Sequence, residues 1–135
     1  MTIANNEKIT IGSLKKRADF LRVQSAGKKW VTKSFILRQL KQPEADRSED
    51  GQNTQPDTQP DIRFGLTVTK KLFKNATDRN RVKRRLRAAI QACLTERGEA
   101  QTDYVLIGRK ETIDREFKDL KRDLTWALKR IKDIE

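Results

Sequence analysis

The run Arg79 to Arg87 constrains this chain more than any other stretch. Six of its nine residues are cationic and none is acidic. Val82 and Leu86 stand four apart, which puts both on one helical face and leaves most of the arginines on the others. The apolar spacing continues through Ala89, Ile90, Cys93 and Leu94. It predicts one long helix, capped by Thr77 or Asp78, ending at Gly98, with its second half buried and its first half charged. A solvated helix face usually carries both signs, paired at helical spacing. A basic run without acids is therefore built to meet a polyanion, and the fold must leave it uncovered.

The rest of the charge is placed to match. The chain has 135 residues and a formal net charge of +12. Residues 1–42 hold ten Lys/Arg against two acids, and residues 63–88 hold ten against one. Residues 43–62 reverse the sign with six acids against one Arg, and residues 89–135 balance at ten each. Two basic blocks flanking an acidic interruption imply one charged surface assembled from the first and third. Such a balance favours nucleic acid or an anionic membrane as partner.

The segment Pro43 to Asp61 holds all three prolines, and Ala45 is its only apolar residue. It is expected to be a disordered acidic insertion between two strands of a single domain covering 1–135, with residues 1–12 as a flexible arm. The insertion either folds back over the basic surface or is a tolerated surface loop. Around it, Ser13 is the expected cap of a helix over Leu14 to Gln24, stopped by Gly27. Leu21 is expected in the core, while Phe20 either joins it or lies in a groove. Lys29–Thr32 and Lys33–Leu40 read as short strands. Phe35 and Leu37 share one face of the second, Ile36 and Arg38 the other. In Ile62 to Thr69 the residues Ile62, Phe64, Leu66 and Val68 alternate with Arg63, Gly65, Thr67 and Thr69. That strand is half-buried, with a small polar face that lets a backbone approach. Asp103–Gly108 reads as a buried strand. Ile113–Lys132 reads as a final helix with the stripe Phe117, Leu120, Leu124, Leu128, Ile131. Trp126 lies off that stripe, covering a core edge or touching a partner. The result is an α+β domain in which helices cover one face of a small mixed sheet and leave the other partly open.

Catalysis by the polypeptide is not expected. There is no histidine, the single cysteine (Cys93) sits in an apolar stripe, and no glycine-rich phosphate loop or metal-ligand spacing occurs. One cysteine also precludes an internal disulfide, which fits a reducing cytoplasm. No signal peptide and no membrane span are expected. RNA is favoured over membrane because the basic helix lacks a bulky apolar face, and over duplex DNA because no groove-reading motif is found. An open sheet face with an aromatic suits an unpaired strand.

Thr69-Lys70-Lys71 followed after seven residues by Arg79-Asn80-Arg81-Val82-Lys83-Arg84-Arg85-Leu86-Arg87 resembles the signature of the protein subunit of bacterial ribonuclease P. Leu14-Lys15-Lys16 leading to Asp19-Phe20, then Gly27 and Phe35, resembles that family's first helix and strands. Phe64 to Lys71 and Asp103 to Arg109 resemble its third and fourth strands. The resemblance implies a two-layer domain in the order α-β-β-β-α-β-α, with a four-stranded mixed sheet and a left-handed β-α-β crossover. It implies an enzyme that removes the 5′ leader of precursor tRNA, with a catalytic RNA subunit and Mg²⁺ held mainly by RNA supplying the chemistry. No metal would be held by this protein alone. Carried over, Arg79, Asn80, Arg81, Lys83, Arg84 and Arg87 would meet the catalytic RNA. Lys16, Phe20, Ile36, Arg38, Thr67 and Lys70 would line a cleft for the single-stranded leader. Many relatives carry aromatics where Gln24 and Arg38 stand here, so base stacking would rest on Phe20, with Arg38 stacking its guanidinium or holding a phosphate. A structural RNA-binding protein such as a ribosomal component is the alternative, and a membrane-surface or general polyanion binder a third.

Overall fold

The computed structural model describes residues 10–42 and 60–133. The expectations for an arm through residue 9 and for most of the acidic insertion, 43–59, fall outside them. The elements in chain order are β1 (Ile11–Ser13), α1 (Arg17–Ala26), β2 (Lys28–Val31), β3 (Phe35–Lys41), β4 (Ile62–Thr67), α2 (Ala76–Arg97), β5 (Thr102–Gly108), a 3-10 turn (Lys110–Thr112) and α3 (Phe117–Lys132). The strands form one mixed sheet in the order β1-β4-β5-β3-β2. Strand β4 is parallel to both β1 and β5, while β3 is antiparallel to β5 and β2.

The mixed α+β architecture is as expected, with a fifth strand added. Ile11 and Gly12, expected in a flexible arm, pair with Ile62 and Arg63 instead. The same pairing moves the start of α1. Leu14 stays extended and buried, its N–H donating to Phe64 O at 2.9 Å, so Ser13 cannot cap the helix. Helix α1 begins at Arg17 behind Lys16 and ends at Gly27, whose N–H reaches Val23 O at 2.9 Å. The hairpin between β2 and β3 is held by the Thr32 hydroxyl, which accepts from the N–H groups of Ser34 and Phe35.

Alternation divides the sheet into two faces. Phe35, Leu37, Ile62, Phe64, Tyr104 and Leu106 pack against α2 and α3 in the main core. From α2 come Val82, Leu86, Ala89, Ile90, Cys93 and Leu94, the expected stripe. From α3 come Leu120, Leu124, Ala127, Leu128 and Ile131. Phe117, expected in that stripe, is 38% exposed, and the Lys121 amine lies 5.4 Å from its ring centre. Helix α3 starts four residues later than expected, after the 3-10 turn at Lys110–Thr112. Arg85 donates to Thr112 O at 3.0 Å and to Arg115 O.

Helix α1 lies on the opposite face, over its middle. Val23, Leu14 and Val105 form a second small core there, flanked by Phe20, Leu40 and Ile107. Leu21 does not join it and is 50% exposed. Phe20 and Val23, three apart, set the inner face of α1, and Leu21 points about 100° away from Phe20.

Candidate nucleic-acid interface

The first half of α2 is an open row of cations. Asn80, Arg81, Arg84 and Arg87 are exposed and Lys83 is half-buried. Arg79 bends back and donates to Phe73 O at 2.8 Å and Lys74 O at 3.0 Å, tying the preceding loop to the helix. Among the described residues, no carboxylate forms an ion pair with Arg79, Arg81, Lys83, Arg84 or Arg87. The nearby helix α3 cannot supply one. Its Asp123 holds Arg115 at 2.6 Å and its Asp119 holds Arg122 at 2.6 Å. Among the described residues nothing neutralises this row of cations, as the run predicts.

The second part is the sheet face under α1. Strand register puts its side chains in rows across β3, β5 and β4: Ile36–Ile107–Thr67, then Arg38–Val105–Gly65, then Leu40–Asp103–Arg63. Val31 of β2 extends the first row and is 49% exposed. Phe20 lies on Gly65. A Cβ built there would be 2.4 Å from the ring's Cε1 and Cζ. The small residue thus accommodates an aromatic ring, not the backbone that the alternation suggested. Thr67 accepts from Gln24 Nε2 at 3.5 Å. Lys16 stands at one end of this face, beside a cavity of about 300 Å³ also lined by Asp19 and Arg63. Lys70 stands in the turn beyond the other end. Phe20, Ile36, Arg38 and Thr67 are thus brought onto one face, with Lys16 and Lys70 bounding it.

Arg38 departs from expectation. Its guanidinium donates to Gln24 O, at the carboxyl end of α1 where the helix dipole favours a cation. Its Nε is buried without a partner. Arg38 braces α1 to β3 through this contact, which uses one of its guanidinium N–H groups.

An ion network beneath α1 is absent from the residues singled out in the sequence. The fully buried Asp103 accepts from Arg63 Nε at 2.9 Å, Arg63 Nη2 at 2.8 Å and Arg22 Nη2 at 2.7 Å. Asp19 adds contacts of 3.3 Å to Arg22 and 3.7 Å to Arg63. The visible signal was one acid opening an apolar strand; its partners lie 81 and 40 positions away. The first row runs toward a cavity of about 630 Å³ lined by Val31, Lys33, Leu72, Arg109 and Lys110, with Glu111. Val31, Ile107 and Arg109 also lie on or beside this face, and sequence reasoning did not place them there.

These acids do not fit a protein-held metal. Asp19 and Asp103 are already neutralised by arginine, and no cluster of three metal-ligating side chains occurs among the described residues. Burial pushes the Cys93 thiol above its ordinary value, against a hydrogen bond to Thr125, so the group stays protonated at neutral pH. The Tyr104 phenol is also pushed up by burial, although Glu99 N–H and Gln39 Nε2 donate to it at 3.1 and 3.2 Å. No helix among the described residues is long and apolar enough to cross a membrane.

The family model described as Ribonuclease P matches residues 11–132. The ribonuclease P protein component of Paramagnetospirillum magneticum is 42% identical over 118 residues, covering 87% of this chain and 80% of that one. The ribonuclease P protein of Thermotoga maritima superposes with a TM-score of 0.60 at 26% identity, covering 91% of this chain and 97% of that one. That of Staphylococcus aureus does so with a TM-score of 0.65 at 24% identity, over 93% and 97% of the two chains, a likeness of fold.

Proposed function

The chain belongs to the ribonuclease P protein family, and from that premise we propose that it binds the catalytic RNA subunit and the single-stranded 5′ leader of precursor tRNA. In doing so it promotes Mg²⁺-dependent removal of the leader. The observation that carries this reading is the pairing of two surfaces: the carboxylate-free cations of α2 and the Phe20 face under α1.

The physical division of labour follows from their chemistry. Arg81, Lys83, Arg84 and Arg87 project from a rigid helix and match the phosphates of a folded RNA, together with Asn80 and the loop-bracing Arg79. Phe20 offers a stacking face to an unpaired base. Ile36, Ile107 and Thr67 form a shelf for the strand, with Lys16 and Lys70 meeting phosphates at its ends. The hydrolytic chemistry belongs to the RNA and its Mg²⁺, and this chain holds and orients the substrate.

Reconstitution with a bacterial ribonuclease P RNA tests the proposal. At low Mg²⁺ the protein is expected to accelerate leader removal, and Arg84→Ala is expected to weaken its association with the RNA. Phe20→Ala is expected to weaken precursor tRNA more than mature tRNA, by about 1–3 kcal/mol for one stacked base. No stimulation at any Mg²⁺ concentration, with co-sedimentation on ribosomes instead, would favour a structural RNA-binding protein.

A further inference from the structure

The two RNA surfaces meet at a cavity that takes residues from both. Strand β1 covers the edge of β4 only as far as Phe64. Ile62 N–H donates to Thr10 O at 3.0 Å and Phe64 O accepts from Leu14 N–H at 2.9 Å. Even-numbered residues of β4 therefore aim their backbone groups at the β1 side, and odd-numbered ones at β5. Leu66 is the next even residue. Its N–H and C=O face an edge that β1 has left, because the chain turns away at Leu14 into α1.

A cavity of about 190 Å³ lies at this edge, lined among others by Ser13, Phe20, Gly65, Leu66, Lys83 and Arg87. Lys83 and Arg87 are one helical turn apart and overhang it together. Its described lining contains no carboxylate, whereas the cavities beside Lys16 and beside Val31 contain Asp19 and Glu111. A ring face, a hydroxyl, a strand-edge N–H that β1 has left and two cations with no ion pair among the described residues are the groups that would hold one nucleotide. The base would lie on the ring, and the phosphate would lie against the cations and the N–H.

We propose that this cavity is a nucleotide subsite for single-stranded RNA in which Phe20 and the Lys83/Arg87 pair act on the same nucleotide. This rests on the functional reading above and deepens it. Lys83 and Arg87, assigned to the folded RNA, also serve the unpaired strand, so the two surfaces are one continuous track.

A double-mutant cycle on the full chain tests it, with a short labelled oligouridylate as probe and no catalytic RNA present. Phe20→Ala and Arg87→Ala are each expected to weaken binding. Their combined loss is expected to fall short of the product of the single losses by about threefold or more. Phe20→Leu, which keeps bulk without the ring face, should show the same coupling should Phe20→Ala fold poorly. Phe20→Ala with Arg84→Ala, an exposed residue outside the lining, should combine multiplicatively. The log–log salt slope should fall by about 0.7 for Arg87→Ala. Multiplicative losses in both cycles, or no oligouridylate binding by the unmodified chain, would overturn the proposal. Coupling in a protein that fails to stimulate leader removal would refute the functional reading and leave the subsite standing. Multiplicative losses in a protein that does stimulate removal would refute the subsite alone.

Discussion

Asp103→Ala should be among the most damaging single substitutions on the α1 side of the sheet. The carboxylate is fully buried and receives three short contacts from two arginines. Arg63 is only 11% exposed, so Asp103→Ala takes the closer of its two carboxylate partners among the described residues from a guanidinium that water barely reaches. Breaking such a buried pair costs about 3–5 kcal/mol. Arg22 is 26% exposed and can partly rehydrate, which places the expected loss nearer about 3 kcal/mol. A domain of this size has about 5–15 kcal/mol in total. With a urea slope of about 2 kcal/mol per molar, the unfolding midpoint should drop by about 1.5 M. Equilibrium urea unfolding monitored by circular dichroism reads this directly. Replacing the pair, Asp103→Leu with Arg63→Met, should recover much of the loss, since an apolar pair removes the desolvation cost along with the attraction. Arg22 and Asp19 would still hold each other in that variant. A loss below about 1 kcal/mol for Asp103→Ala, in the range of an exposed pair, would refute the reasoning. So would a double variant no more stable than the single one. Because the network fastens α1 to the sheet, a folded variant such as Asp103→Asn should lose affinity for single-stranded RNA while retaining affinity for the catalytic RNA.

Gly65→Ala should push the Phe20 ring off β4, since the new methyl would sit 2.4 Å from ring carbons. Oligouridylate binding should fall toward that of Phe20→Ala with a stability change of about 1–3 kcal/mol, and unchanged binding would show that the ring's seat is unimportant. Burial raises Cys93 above its ordinary 9.0 and Tyr104 above its ordinary 10.0. Both are neutral when protonated, so their contribution to stability is complete below those values and is lost as pH rises through the higher folded values. Urea midpoints should fall above about pH 9, and Tyr104→Phe should flatten part of that fall. A thiol reagent at neutral pH should label Cys93 only as fast as the protein opens; immediate labelling would contradict its burial. Trp126→Ala removes an exposed ring whose stacking partner is Arg130, 4.7 Å from its centre. Oligouridylate affinity should be unaffected, and stability should shift by no more than about 1 kcal/mol in urea unfolding.

Local chemistry made much of this protein legible in advance. The charged half and buried half of α2, the two faces of β3 and β4, and the stop at Gly27 all follow from spacings of a few residues, which helix and strand periods convert into faces. The Arg79–Arg87 run also marked the proposed interface, because missing acids are visible without a fold. What stayed hidden depends on partners far apart in the chain. Strand β1 exists only because β4 offers it an edge, and three residues carry no period of their own. Leu21 and Phe117 had the right hydrophobicity for the core, but the angle at which each helix meets the sheet left both outside. Nothing in the sequence showed that Arg38 would reach the end of α1 and donate to Gln24 O. The Asp103 network and the cavity joining Phe20 to Arg87 need residues from α1, β4, β5 and α2 within a few ångströms of each other. Composition and spacing determined a basic helix beside a half-open sheet, the features that favour a polyanion as partner. Only the packing of α1 across that sheet decided which groups remain free to meet one, because hydrogen bonds and ion pairs consume side chains according to distance in space, to which sequence position is blind.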